Sequence, residues 1–152
     1  MRRIFSGFAV LLMLVTAASA QSSSSSIGTI KVATGDASIM RGAQVLAAAE
    51  GMDVERADTL VTGTGGSLGV TLKDGTLISL GPNSQFELSA FEFSPRNDAF
   101  SFFGKILEGT LIYQSGRIGK IAPEKTRIET PLSVIAVRGT RFAVRVPAGA
   151  GN

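Results

Sequence analysis

Four carboxylates fall within nine residues: Glu50, Asp53, Glu55 and Asp58. Two acids held at a fixed separation can hydrolyse a glycosidic bond, one protonating the leaving oxygen while the other attacks or activates water. The same oxygens could hold calcium, but neither this run nor Asp74 has the regularly spaced ligands of a calcium loop. Between strands the run reads more simply as a solvated loop. Gly63-Thr64-Gly65-Gly66 has the look of a phosphate cradle, yet no P-loop lysine or helix start follows it. A turn between Val61 and Leu68 is the better reading. The chain has no histidine and no cysteine, which removes the commonest general base, the thiol nucleophile and the usual zinc ligands. No Ser-x-x-Lys pattern accompanies its serines. The residues imply no cofactor, no metal and no enzyme.

Two further groups suit binding. Six of the nine phenylalanines lie between Phe86 and Phe103, and large rings go to the core by default. Phe102 and Phe103 are adjacent, so on a strand they must point to opposite faces. Phe91 and Phe93, with Arg96 close behind, form a candidate partner patch at a sheet edge or loop. Arg138, Arg141 and Arg145 could grip an acidic partner or a polysaccharide, or be the solvated face of a last strand.

The elements that must position these residues are strands. In Arg141–Val146 the apolar Phe142, Val144 and Val146 alternate with arginines, the pattern of a half-buried strand. Similar runs lie at 27–32, 37–40, 68–72, 76–80, 85–88, 99–103, 109–113, 126–129 and 132–137, separated by glycine-bearing breaks. Asp74-Gly75 is the strongest hairpin signal and predicts a tight primed turn. The alanine-rich stretch Ala43–Met52 is the one candidate helix. Asp74-Gly75-Thr76-Leu77-Ile78 is echoed 34 positions later by Glu108-Gly109-Thr110-Leu111-Ile112, as if two turns reuse one local chemistry.

The N-terminus is a different kind of segment. Met1-Arg2-Arg3 is followed by an apolar run to Ala17 and by Ala18-Ser19-Ala20, a small-x-small site placing cleavage between Ala20 and Gln21. The run, about 14 residues, is short of the roughly 20 that span a bilayer. The predicted organisation is a signal peptide over 1–20, a serine-rich linker over 21–26, one domain over 27–146 and a flexible tail over 147–152. Of 15 basic and 12 acidic residues, Arg2 and Arg3 belong to the signal, so the mature balance is 13 against 12. The sequence pI near 9.7 is therefore no argument for nucleic acid. A cysteine-free chain has neither disulfides nor a lipidation site, and no later run would hold it in a membrane. It is expected in the periplasm, or secreted from a host with one membrane.

The order of these pieces resembles the FecR domain of bacterial envelope proteins over about Gly28 to Val146. The resemblance rests on Gly28-Thr29-Ile30-Lys31-Val32, Ala37–Gly42, Gly51–Val54, Asp58–Gly63 and Leu72–Ser84, which includes Asp74, Gly75, Pro82 and Asn83. Its most specific part is Ile128-Glu129-Thr130-Pro131 followed by Val137-Arg138-Gly139-Thr140-Arg141-Phe142. The resemblance implies a β-solenoid-like periplasmic module. In the regulator that names the family, the domain relays the occupancy of an outer-membrane iron transporter to a cytoplasmic sigma factor. This chain has no anti-sigma segment before its apolar run and stops soon after Val146, so that iron-signalling role is not carried over. The expectation is one all-β domain of many short strands, β-solenoid-like with a β-sandwich as the alternative. It would act as a non-catalytic interaction or signalling module binding an envelope protein, with peptidoglycan or another surface glycan as the alternative partner.

Overall fold

The computed structural model describes residues 26–139 and 141–150. The expected signal peptide and its cleavage site at Ala20 and Gln21 lie outside the described residues, as does Thr140. Twelve strands form one curled sheet: β1 (Gly28–Thr34), β2 (Ala37–Arg41), β3 (Gln44–Ala47), β4 (Asp53–Val54), β5 (Thr59–Thr62), β6 (Ser67–Leu72), β7 (Leu77–Leu80), β8 (Ser84–Ser94), β9 (Ala99–Gln114), β10 (Thr126–Glu129), β11 (Val134–Ala136) and β12 (Arg141–Val146). One five-residue helix, α1 (Arg117–Ile121), follows β9. The all-β expectation holds. Pairing is antiparallel throughout except between β9 and β10.

The strand that organises the fold is β9, 16 residues long where the sequence suggests two short runs. Its first part pairs with β8 and β10, and its second with β7 and β12. The change of partners falls at Gly109, whose φ is +89°, a conformation glycine adopts without penalty. Just before it the β8 register shifts, with Gln85 facing Glu108 but Phe86 facing Ile106, so one residue bulges and the strand bends. One wing of the sheet therefore runs β3-β2-β5-β8-β9-β10-β11 and the other β4-β1-β6-β7-β9-β12. The echo seen in the sequence is resolved here. Leu77–Leu80 lies antiparallel against Leu111–Gln114, so the two copies lead into strands that are neighbours, although the copies themselves are not in register.

Inward side chains of both wings share one hydrophobic cluster, including Ile30, Ile39, Leu60, Phe86, Phe102, Ile106, Leu111 and Tyr113. Gly104 is buried on β9 because the Phe86 ring lies where a Cβ would be. Tyr113 stacks between Phe102 and Phe142, at 5.5 and 5.4 Å, and so ties β12 to the core.

The candidate helix over Ala43–Met52 is not formed. Gln44–Ala47 is strand, paired with β2 from Arg41↔Gln44 to Ser38↔Ala47. The connection is the two-residue loop Gly42-Ala43 with φ +58° at Gly42, which fits a primed hairpin turn with glycine first. Tertiary pairing overrides alanine's helix propensity here. Conversely, the tight primed turn expected at Asp74-Gly75 is a longer connection. Leu72 N–H donates to Thr76 O and Gly75 N–H to Leu72 O, with only Gly75 at positive φ. The tail expected after Val146 begins with a turn, Ala150 N–H donating to Pro147 O, and Ala150 packs against the core.

Candidate functional site

Two of the four carboxylates, Glu55 and Asp58, are taken up by a single arginine. Asp58 is fully buried and takes Arg41 Nε and Nη2 on its two oxygens at 2.9 and 2.8 Å. Arg41 Nη1 meets Glu55 Oε1 at 2.7 Å, and Nη2 also donates to Asp53 O. The Glu55 N–H completes the shell around Asp58. Donating to the Asp58 carboxylate raises the Arg41 pKa. Glu55 and Asp58 are thus not part of a solvated loop, whereas Glu50 and Asp53 are exposed, as that reading expects. Glu55 and Asp58 clamp β2 to the β4–β5 connection, and both are engaged by the arginine rather than facing each other as general acid and base. Among the described residues no group of three or more His, Cys, Asp or Glu is placed to hold a metal. Gly65-Gly66-Ser67-Leu68-Gly69 has the Gly-x-Ser-x-Gly spacing of a hydrolase elbow, a match the sequence reading misses. Ser67 opens β6, however, rather than a strand-to-helix turn, and the chain has no histidine to activate it.

Asp74 is also buried and structural. Its carboxylate accepts Thr76 N–H at 3.0 Å, Thr76 Oγ1 at 2.8 Å and Ile118 N–H at 3.2 Å. Its carbonyl accepts Arg117 N–H, and Thr76 Oγ1 accepts Gly116 N–H. One turn thus satisfies the opening N–H groups of α1. Pro82 and Asn83 form a second corner. Asn83, with φ +49°, donates its N–H to Gly63 O, and its side-chain oxygen accepts Thr64 Oγ1.

The aromatic patch is rearranged. Phe91 is 5% exposed, whereas Phe93 is half-buried against Phe100 with the Arg117 guanidinium over its ring at 5.1 Å. Arg96 is exposed on the 3-10 turn Pro95–Asn97. The two rings therefore present no joint exposed face, because the bulge between Glu87 and Ala90 reverses the alternation set by Phe86 and Leu88 and turns Phe91 inward. Phe102 is buried and Phe103 faces outward, covered by Arg127 at 4.4 Å. A shallow groove of about 400 Å³ runs beside it, lined by Ala90, Ser101, Phe103, Glu124, Lys125 and Arg127.

The arrangement that stands out lies on the Thr130-Pro131 motif. Thr130 Oγ1 accepts the N–H groups of Leu132 and Ser133 at 3.3 and 2.9 Å, and Thr130 N–H donates to Ser133 O at 2.8 Å. Proline fixes its own φ within this turn. The turn holds Leu132 81% exposed, with Val134 59% exposed beside it. Between this turn and β12 lies a cleft of about 210 Å³ lined mainly by Pro131, Leu132, Val144, Val146, Pro147 and Ala150. β11 pairs only with β10, and β12 only with β9. Each has one edge without a strand partner among the described residues. Val137 is buried and Gly139 has φ +57°, so the chain turns from one wing to the other there. Arg138, Arg141 and Arg145 are exposed.

A family model described as FecR protein matches residues 58–151. The chain belongs to the FecR family. The match opens at the buried Asp58 and takes in the Asp74 turn, the Pro82-Asn83 corner, the Thr130 turn and β12. β1–β4, which the sequence resemblance also included, precede it. The FecR family is one of signalling and regulatory modules, in keeping with FecR motif residues that serve the backbone here rather than a reaction centre. No curated protein and no solved structure matches the chain. No helix among the described residues is long and apolar enough to cross a membrane.

Proposed function

We propose that the chain is a non-catalytic module of the bacterial envelope, exported by cleavage after Ala20 to the periplasm. There it binds a protein partner in signalling or assembly, without turnover. One observation carries the reading: Leu132 stands almost fully exposed on a turn whose own hydrogen bonds hold it in place. Covering one leucine is worth about 2 kcal/mol, and a rigid turn loses little entropy when a partner covers it. The adjoining cleft and strand edges extend that apolar contact along a rim.

Surface glycan is the second reading, and the groove beside Phe103 is its best location. Arg127 already lies on the ring that a sugar would stack against, which disfavours it. Capture from an envelope extract separates the two, using residues 21–152 beside the Leu132→Asp variant. Proteins retained by the former and lost by the latter support protein binding. An identical protein set on both, or cell-wall polymer alone, overturns it.

A further inference from the structure

We infer that β12 accepts along its free edge an extended segment of the partner in which apolar and acidic residues alternate. This rests on the protein-binding reading above and adds the mode and chemistry of contact. β12 is six residues long, contains no proline and, among the described residues, is paired on one side only. Such an edge offers unpaired N–H and C=O groups to an incoming strand.

The two faces of the edge differ in chemistry. Phe142, Val144 and Val146 turn toward the core, and Val144 and Val146 help line the apolar cleft shared with Leu132 and Pro147. Arg141, Ala143 and Arg145 turn outward and are exposed, with Arg145 also bordering the cleft. Because side chains of an added strand alternate in the same way, every second residue of the partner would enter the cleft, and the residues between would lie beside the arginines. From Thr130 to the end of the chain there are three arginines and no acidic residue, whereas residues 21–129 carry 10 basic and 12 acidic residues. The outward positions of the partner are therefore acidic. The same arginines disfavour a second copy of this chain as the occupant. Antiparallel pairing of two β12 strands centred on Ala143 would set arginine opposite arginine, a destabilising cross-strand pair.

The test is selection of random ten-residue peptides, displayed on phage, on residues 21–152. The expected winners alternate Val, Ile, Leu or Phe with Asp or Glu. They should bind the Arg141→Glu/Arg145→Glu variant about tenfold more weakly or worse, and lysine in place of their acids should restore binding to that variant. N-methylation of alternate backbone nitrogens in one of the two registers should abolish binding. Winners without the alternation, binding indifferent to charge reversal, or binding that survives N-methylation in both registers would overturn the inference. If Leu132→Asp still prevents protein capture while charge reversal changes nothing, docking at the rim stands and strand addition fails. Sedimentation showing Leu132-dependent self-association makes a second copy the occupant and overturns it as well.

Discussion

The Asp74 carboxylate accepts the backbone N–H of Ile118, 44 residues further along the chain. A residue that reads in the sequence as half of a hairpin turn thus also anchors the only α-helix of the described chain. Asp74→Ala would leave the Thr76 and Ile118 N–H groups buried without an acceptor, each worth about 1–3 kcal/mol. A loss of about 3 kcal/mol in urea unfolding is expected, with faster amide exchange over 115–122. Asp74→Asn, which keeps one acceptor oxygen, should cost less.

Arg41 and Asp58 form the second long-range tie. Arg41→Ala strands a fully buried carboxylate and should destabilise by about 3–5 kcal/mol. Arg41→Lys, unable to bond both Asp58 oxygens at once, should recover only part of that. Chemical denaturation of the three proteins checks the order.

Gly75 and Gly109 make a controlled pair. Their φ values are +84° and +89°, but a Cβ at Gly75 meets open space, whereas at Gly109 it meets Ser84 and the Asn83 carbonyl. Gly75→Ala should cost about 1 kcal/mol, from backbone strain alone. Gly109→Ala adds a clash at the bend of β9 and should cost at least about twice as much. Equal costs in thermal unfolding would contradict this account of the bend.

Tyr113 predicts the alkaline limit. Burial pushes its phenol up to about 12, against about 10 in an unfolded chain. The folded state then holds the proton more tightly, so this stability is fully present below pH 10 and is lost as pH rises from 10 toward 12. The loss is on the order of 2–3 kcal/mol. Tyr113→Phe should flatten that slope. It should cost little stability at pH 7, since among the described residues no hydrogen bond of good geometry reaches the buried hydroxyl, although the Thr76 and Ser115 side chains lie near it.

Much of this was legible in the sequence. Alternation alone places Arg141, Ala143 and Arg145 outside β12, and Phe142 and Val144 toward the core. The Asp74-Gly75 hairpin is legible too, although not its loop length or the reach of the carboxylate. The Ala43–Met52 helix fails because propensity is local, while pairing with β2 is not. Phe91 and Phe93 share a strand face by spacing, but Phe91 is covered by the core and Phe93 by Phe100 and Arg117. No sequence pattern assigns Arg41 to Asp58, since they meet only through the antiparallel β2–β5 pairing, whose register continues from Met40↔Thr59 to set them opposite each other. Thr130-Pro131 stands out as a motif, yet the exposure of Leu132 depends on a turn whose hydrogen bonds appear only in three dimensions.

The central claim is that the rim formed by the Thr130–Ser133 turn and β12 docks a protein. Photo-crosslinking in living cells tests it most directly, with p-benzoylphenylalanine placed at position 132 or 143, or at Val45 on the far end of the sheet. The account predicts a discrete protein adduct from positions 132 and 143 and none from position 45. No adduct at the rim, or the same adducts from all three positions, would contradict it.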